Sequence, residues 1–144
     1  MNNPYYNPSA KDLKASWYLI DARGQTVGKV AAKAAMVLMG KHEPTYVPHL
    51  DNGHRVVVIN AAHLLVSQKK AEQKLYWRHT GYPGGIRHKT LGALMDSRPT
   101  EVVRKAIKGM LPKNRLGSAT LGKLYIYPEE THEQVGQQPV QISL

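Results

Sequence analysis

Arg55-Val56-Val57-Val58-Ile59-Asn60 constrains the fold more than any other stretch of this chain. A strand with one face in water alternates apolar and polar residues, and this β-branched run does not alternate. It reads as a strand buried on both faces, as in a parallel sheet covered by helices. Its surroundings agree. Trp17-Tyr18-Leu19-Ile20 is a short run of strand formers ending in the turn composition Asp21-Ala22-Arg23-Gly24. After it, Val27, Val30, Ala31, Ala34, Val37 and Leu38 follow helical spacing, with Lys29 and Lys33 on the other face. Gly40 supplies a C-terminal cap signal and Pro44 prevents continuation.

Beyond this unit, Lys41 to His54 carries Pro44, Pro48 and Gly53 and reads as an irregular connection. His63 to Val66 either extends the buried strand or forms a helical turn, and Gln68 to Lys74 reads as a charged, solvated loop. Leu75 to His79 is a third strand, and Thr90 to Ser97 a short helix with Leu91, Leu94 and Met95 on one side. Pro99 opens a further helix, where its missing N–H costs little and Glu101 meets the dipole favourably. Val102, Val103, Ala106, Ile107, Met110 and Leu111 form its apolar stripe, leaving Arg104, Lys105 and Lys108 outside, and Pro112 ends it. Lys113 to Gly117 reads as a basic loop and Leu124 to Tyr127 as a last strand. Strands alternating with helices, with no internal repeat or linker, predict one α/β domain with a small, mainly parallel sheet. Residues 17–127 form that domain, residues 1–16 a flexible arm containing Tyr5 and Tyr6, and residues 128–144 an extended, Gln-rich tail that orders only against a partner.

The formal net charge of +10 is unevenly spread. From Lys69 to Lys123 there are 13 basic and 3 acidic side chains, a difference of 10; residues 1–68 give 7 − 4 = +3, and residues 124–144 give −3. A field of one sign on a compact domain concentrates a polyanion, so nucleic acid is the leading partner class. A membrane is not: no long apolar run or basic amphipathic helix with large apolar residues is present, and Val56 to Ile59 is far too short to span.

Within the basic segment, Leu75 to Lys89 mixes aromatic rings, cations and bare backbone in a way that suits RNA. Trp77, Tyr76 and Tyr82 can stack on unpaired bases, and Arg78, Arg87 and Lys89 can meet phosphates. Gly81, Gly84 and Gly85, with His79 and Thr80 beside them, let backbone N–H groups approach a sugar-phosphate chain. The structural alternative is a hairpin-like loop whose aromatics are half buried. Arg23, Lys29, Lys69, Lys70, Lys74, Lys113, Arg115 and Lys123 complete the candidate RNA-binding set.

Catalysis finds little support. Gly24 to Lys29 lies where nucleotide-binding folds place a phosphate loop, but only three residues separate Gly24 and Gly28, and Val30 follows Lys29 where a Ser or Thr would hold magnesium. Gly24 and Gly28 read better as turn and close-packing residues. No Cys is present, none of the seven His residues has metal-ligand spacing, and no nucleophile-elbow motif surrounds a Ser. Asp21 is the only carboxylate at a strand end, and its expected role is to cap the turn that follows.

Several separate segments together resemble one family. They are Trp17 to Ala22 with the Gly28 helix entry, Gly40-Lys41-His42, Val56 to Ala61, Tyr76 with His79 to Gly85, and Gly109-Met110-Leu111-Pro112-Lys113-Asn114. Over about Trp17 to Pro139 the chain resembles the bacterial-type family of large-subunit ribosomal protein thirteen. The resemblance implies a three-layer α/β/α domain with a four-stranded, mostly parallel sheet. It also implies binding to large-subunit ribosomal RNA early in assembly, neighbouring ribosomal proteins as partners, no cofactor, no small-molecule substrate and no catalytic role. The His79–Gly85 and Lys113–Gly117 loops are the parts it implies to face RNA. The chain departs from the family at Leu116-Gly117-Ser118, where one cation is missing, and at Asn60 to His63 and Val66-Ser67-Gln68. Trp17-Tyr18-Leu19, Tyr76-Trp77 and Pro128-Glu129-Glu130 look similar to mitochondrial members, whereas Gln137-Gln138-Pro139 looks bacterial. The resemblance favours the mitochondrial matrix, with bacterial cytoplasm or plastid as alternatives.

Overall fold

Val56, Val57 and Val58 are wholly buried and Ile59 nearly so, as a strand without alternation requires. The computed structural model describes Pro8, Ser9 and residues 13–144; Tyr5 and Tyr6 of the expected arm lie outside the described residues. In chain order the elements are β1 (Trp17–Asp21), α1 (Val27–Leu38), β2 (Arg55–Ile59), α2 (Gln68–Gln73), β3 (Leu75–His79) and β4 (Ile86–Thr90). There follow α3 (Leu91–Ser97), α4 (Pro99–Met110), α5 (Arg115–Leu121), β5 (Leu124–Ile126) and β6 (Val140–Gln141). Short 3-10 turns occupy Ala61–His63 and Glu133–Gln137.

The main sheet has four strands in the order β5-β2-β1-β6, and every pairing in it is parallel. Ile20 lies opposite Val58, and Val56 opposite Leu124, so these side chains share one face. On that face they join Val30, Ala34, Leu38, Val103 and Ile107 in the core, beneath α1 and α4. The other face carries Leu19, Val57 and Tyr125 in register, with Trp17 and Tyr125 stacked at 5.5 Å and the Arg55 guanidinium 5.0 Å over the indole. Tyr127 follows Tyr125 on this side by alternation. Its hydroxyl donates to Gln134 Oε1 at 2.7 Å, which places the Glu133–Gln137 turn here as the thin third layer.

Three expectations change, and one strand is added. Gln68–Gln73 is helical, not a loop: Lys, Ala, Glu and Gln are good helix formers, and no residue of α2 is buried, so no apolar stripe announced it. β4 has one large apolar residue, Ile86, and neither face is covered, so its strand character comes from pairing with β3. The basic loop gives way at Arg115 to α5, whose start is capped by Asn114 Oδ1 accepting from the Gly117 N–H at 2.8 Å. Finally, the tail does not wait for a partner. Val140–Gln141 adds the fourth strand beside β1, and the Ile142 N–H donates to Leu19 O at 2.9 Å.

Candidate nucleic-acid interface

β3 and β4 form an antiparallel hairpin separate from the main sheet, its base packed against α2 and α3. The register pairs Leu75 with Thr90, Tyr76 with Lys89, Trp77 with His88, Arg78 with Arg87 and His79 with Ile86. Because strand side chains alternate, Tyr76, Arg78, Arg87 and Lys89 share one face, and Leu75, Trp77, His79, Ile86 and His88 the other. The ribbon therefore carries Arg and Lys side chains on one side and aromatic and apolar ones, with no Lys or Arg, on the other.

The tip is built by its glycines. Thr80 N–H donates to Gly85 O at 3.0 Å and Gly85 N–H to Tyr82 O at 2.9 Å. Between them Pro83 and Gly84, with φ +71°, occupy the central turn positions, the arrangement a type II turn requires. Gly81 N–H donates to His79 Nδ1 at 2.9 Å. A Cβ on Gly85 would lie 2.0 Å from Thr80 Oγ1, so His79 to Gly85 is a closely folded loop. Tyr82 projects from it, 76% exposed.

At the base, Tyr76 is withdrawn from solvent among Leu91, Leu94, Val102 and Met95. Lys105 Nζ and Lys74 Nζ lie 5.2 and 5.5 Å over its ring, so Tyr76 is a packing and cation-π residue and not a free stacking platform. Lys105 belongs to α4 and pairs with Glu101 at 3.0 Å; the hydrogen bond from Lys105 holds the Glu101 carboxyl below its ordinary range. Lys108 follows three residues later on α4, a rise of about 4.5 Å. There it lines a concavity with Leu111, Lys113, Asn114 and Arg115. One rigid helix thus joins the cationic face of the hairpin to the start of α5, giving Arg78, Arg87 and Lys89, then Lys105 and Lys108, then Lys113 and Arg115.

The other candidates fall outside this line or are engaged. Lys69 and Lys70 are exposed on α2, just before Lys74. Arg23 is exposed in the turn after β1, and Lys29 in the first turn of α1 donates to Gln25 Oε1 at 3.3 Å. Gly24 takes φ +67°, as a turn requires, but Gly28 packs against nothing: a Cβ there would meet no atom within 4 Å. Asp21 accepts from the Arg23 N–H at 2.9 Å and from Asn60 Nδ2 at 2.8 Å. Partial burial pushes its carboxyl up, but these hydrogen bonds and the Arg23 charge outweigh it and hold it below its ordinary value. Lys123 is ion-paired with Asp51, both side chains about three-quarters buried. Burial again opposes ionisation, and the bonds from Lys123 and the Gly53 N–H bring the Asp51 carboxyl down. Lys123 therefore ties the entry of β5 to the 41–54 connection.

One group has the donor set for a metal. His42, Glu43 and His54 bring their ligand atoms within 4.8 Å of one another, with Tyr18 OH 3.0 Å from His42 Nε2. Hydrogen bonding argues for a structural role. His54 is wholly buried and its Nδ1 accepts from the Ser16 N–H at 3.3 Å, which puts the ring proton on Nε2. That nitrogen sits 3.3 Å from Glu43 Oε2, inside ion-pair distance but outside good hydrogen-bond alignment. A protonated Nε2 cannot ligate a cation, so the group reads as a clamp between β1 and the 41–54 connection. Its spacing along the chain gave no signal for it.

Among the described residues no helix is long and apolar enough to cross a membrane. The model of the ribosomal protein L13 family matches residues 15–133 of the chain. The chain is 45% identical over 137 residues to the large ribosomal subunit protein uL13 of Nocardia farcinica, covering 95% of this chain and 93% of that one. The protein of the same name from Lawsonia intracellularis is 44% identical over 139 residues, covering 96% of each. That of Mycobacterium leprae is 48% identical over 137 residues, covering 95% and 93%. With more than half its length matched by the family model, and relatives this similar along nearly their whole length, the chain belongs to the ribosomal protein L13 family.

Proposed function

We propose that this protein is a structural constituent of the large ribosomal subunit, and that it binds and organises the subunit's RNA without catalysing a reaction. The subunit comes from the relatives, which are named as its proteins. The observation that carries the RNA-binding reading is a set of cations outside every ion pair among the described residues, Arg78, Arg87, Lys89, Lys113 and Arg115; Glu101, whose carboxyl also feels the Lys89 charge, is already paired with Lys105. Like charges held together on a stable scaffold favour an anionic partner. On this reading the cations neutralise phosphates of RNA segments that would otherwise repel one another, while exposed rings stack on unpaired bases. Neighbouring ribosomal proteins are the second class of partner.

The test is sedimentation of a fractionated lysate after a high-salt wash. Co-migration with the large subunit, lost on ribonuclease treatment, is the expected result; a small free protein at the top of the gradient would refute it. The same fractions decide the compartment. The mitochondrial matrix rests on Trp17-Tyr18-Leu19, Tyr76-Trp77 and Pro128-Glu129-Glu130 alone, whereas the relatives compared above are bacterial and favour a bacterial cytoplasm.

A further inference from the structure

We propose that the β3–β4 hairpin is a two-faced wedge between two RNA segments, taking phosphates on Arg78, Arg87 and Lys89 and one unpaired base on the Trp77–His88 face. This rests on the RNA-binding reading above and says how the hairpin divides the work.

The division follows from the register. Arg78 lies directly opposite Arg87, a cross-strand pairing that repels until an anion sits between the guanidinium groups. Lys89 lies on the same face, which continues into Lys105 over Tyr76. That side is a phosphate track. The reverse side differs in every respect. Trp77 is 63% exposed and lies against His88 with ring centroids 4.9 Å apart; Ile86, also 63% exposed, lies beyond them.

No carboxylate occurs between Leu75 and Met95, and Glu101, which feels the Lys89 charge, is paired with Lys105, so the wedge itself carries only positive formal charge. An occupant of the aromatic face must offer a flat, unsaturated surface and also tolerate that field. A base carried on its own phosphodiester chain does both, whereas a protein partner would need an acidic rim around an apolar centre. A single RNA strand cannot lie on both sides of a ribbon at one point, which is why two segments are required.

The test uses the full chain and in vitro transcribed large-subunit ribosomal RNA, with affinity measured across a series of potassium chloride concentrations. Arg78→Ala with Arg87→Ala should reduce the slope of log K against log salt by roughly 1.4–1.8, two phosphate contacts at about 0.7–0.9 each. Trp77→Ala and Trp77→Leu should each weaken binding about tenfold at every salt concentration with the slope unchanged, and Trp77→Phe should retain most of the affinity. Trp77 is exposed, so unaltered thermal unfolding is expected for all three variants.

Trp77 variants that bind as well as the parent, or that change the slope, overturn the wedge. So does equal binding by Trp77→Leu and Trp77→Phe, which would make the face merely apolar. Loss of a neighbouring protein from Trp77→Ala subunits, with RNA affinity intact, would assign the face to protein and overturn it too. If the parent chain does not bind this RNA even at low salt, the RNA-binding reading itself falls, an outcome distinct from the others.

Discussion

Gly117 carries the sharpest steric constraint in the candidate interface. A Cβ there would lie 1.9 Å from the Pro112 carbonyl oxygen and 2.9 Å from its carbon. Carbon and oxygen settle at about 3.3 Å, so alanine requires the 112–117 turn to open by roughly 1.4 Å. That opening pulls the Gly117 N–H from Asn114 Oδ1, now 2.8 Å away, and uncaps α5. Losing the cap costs about 1 kcal/mol, and overpacking about 1–3 kcal/mol. Gly117→Ala should therefore destabilise by about 2–4 kcal/mol, lowering Tm by roughly 6–16 °C at about 3–4 °C per kcal/mol for a domain of this size. Gly109→Ala is the control: no atom lies within 4 Å of its added Cβ, so the helix should gain about 0.5–1 kcal/mol. Scanning calorimetry of both variants measures the contrast. A Gly117→Ala protein as stable as the parent, beside a stabilised Gly109→Ala, would refute the close approach of Pro112 to α5 and with it the placement of Lys113 and Arg115.

Lys123→Ala should lower stability by about 1–2 kcal/mol in urea unfolding, since it leaves Asp51 partly buried and unpaired, while leaving the salt slope for RNA unchanged; a reduced slope would return Lys123 to the RNA contacts. Stability should fall with acid in two stages. Burial first, and the neighbouring His54 next, hold the His42 pKa below its ordinary 6.5. The unfolded chain then binds the extra proton more readily, and stability declines as pH drops below 6.5 and through the folded pKa. The depressed carboxyls of Asp21 and Asp51 contribute stability above 3.8 that is lost as pH falls through their folded values. His42→Asn should flatten the upper stage and spare the lower one in a pH series of unfolding midpoints. Gly28→Ala should stabilise slightly, because the site is open, where a close-packing glycine would make it harmful. Removal of residues 138–144 should cost about 2–3 kcal/mol by uncovering the edge of β1 and stripping Ile142 and Leu144 from the core; an unchanged midpoint would contradict the strand at Val140–Gln141.

The sheet centre was legible because burial leaves a compositional mark. Val56 to Ile59 read as a doubly covered strand because it is β-branched and does not alternate, and the stripes of α1 and α4 repeated at helical spacing over three turns each. What escaped reading lacks such a mark. α2 buries nothing, α5 is seven residues long and interrupted by Gly117, and β6 is only two residues long. β3 and β4 are held by pairing, which no local pattern records, and so the separation of the hairpin into a cationic and an aromatic face could not be seen before the register was known. Composition found the charge of the candidate site but could not say which rings were free. Tyr76 and Trp77 are adjacent in sequence, yet Tyr76 packs under Lys105 while Trp77 points away.

The helix α4 explains why the part of the fold easiest to read also organises the part hardest to read. Its apolar side, Val102, Val103 and Ile107, is wholly buried against the core, which fixes the rotation of the helix about its axis. Fixed rotation sets the direction in which Lys105 and Lys108 leave the helix, and these two cations span the gap between the hairpin base and the start of α5. On the proposed RNA-binding reading, an RNA meeting them would order two side chains and no backbone, so little conformational entropy would be lost there. Beyond its base, which packs against α2 and α3 and partly buries Tyr76, the hairpin has no such anchor. Its tip must be held by its own turn at Tyr82 to Gly85, and its strands carry the Arg78–Arg87 repulsion. The protein thus pairs a rigid cationic spine with a more independent ribbon, and a change in the core under α4 should disturb RNA binding at both ends of the spine at once.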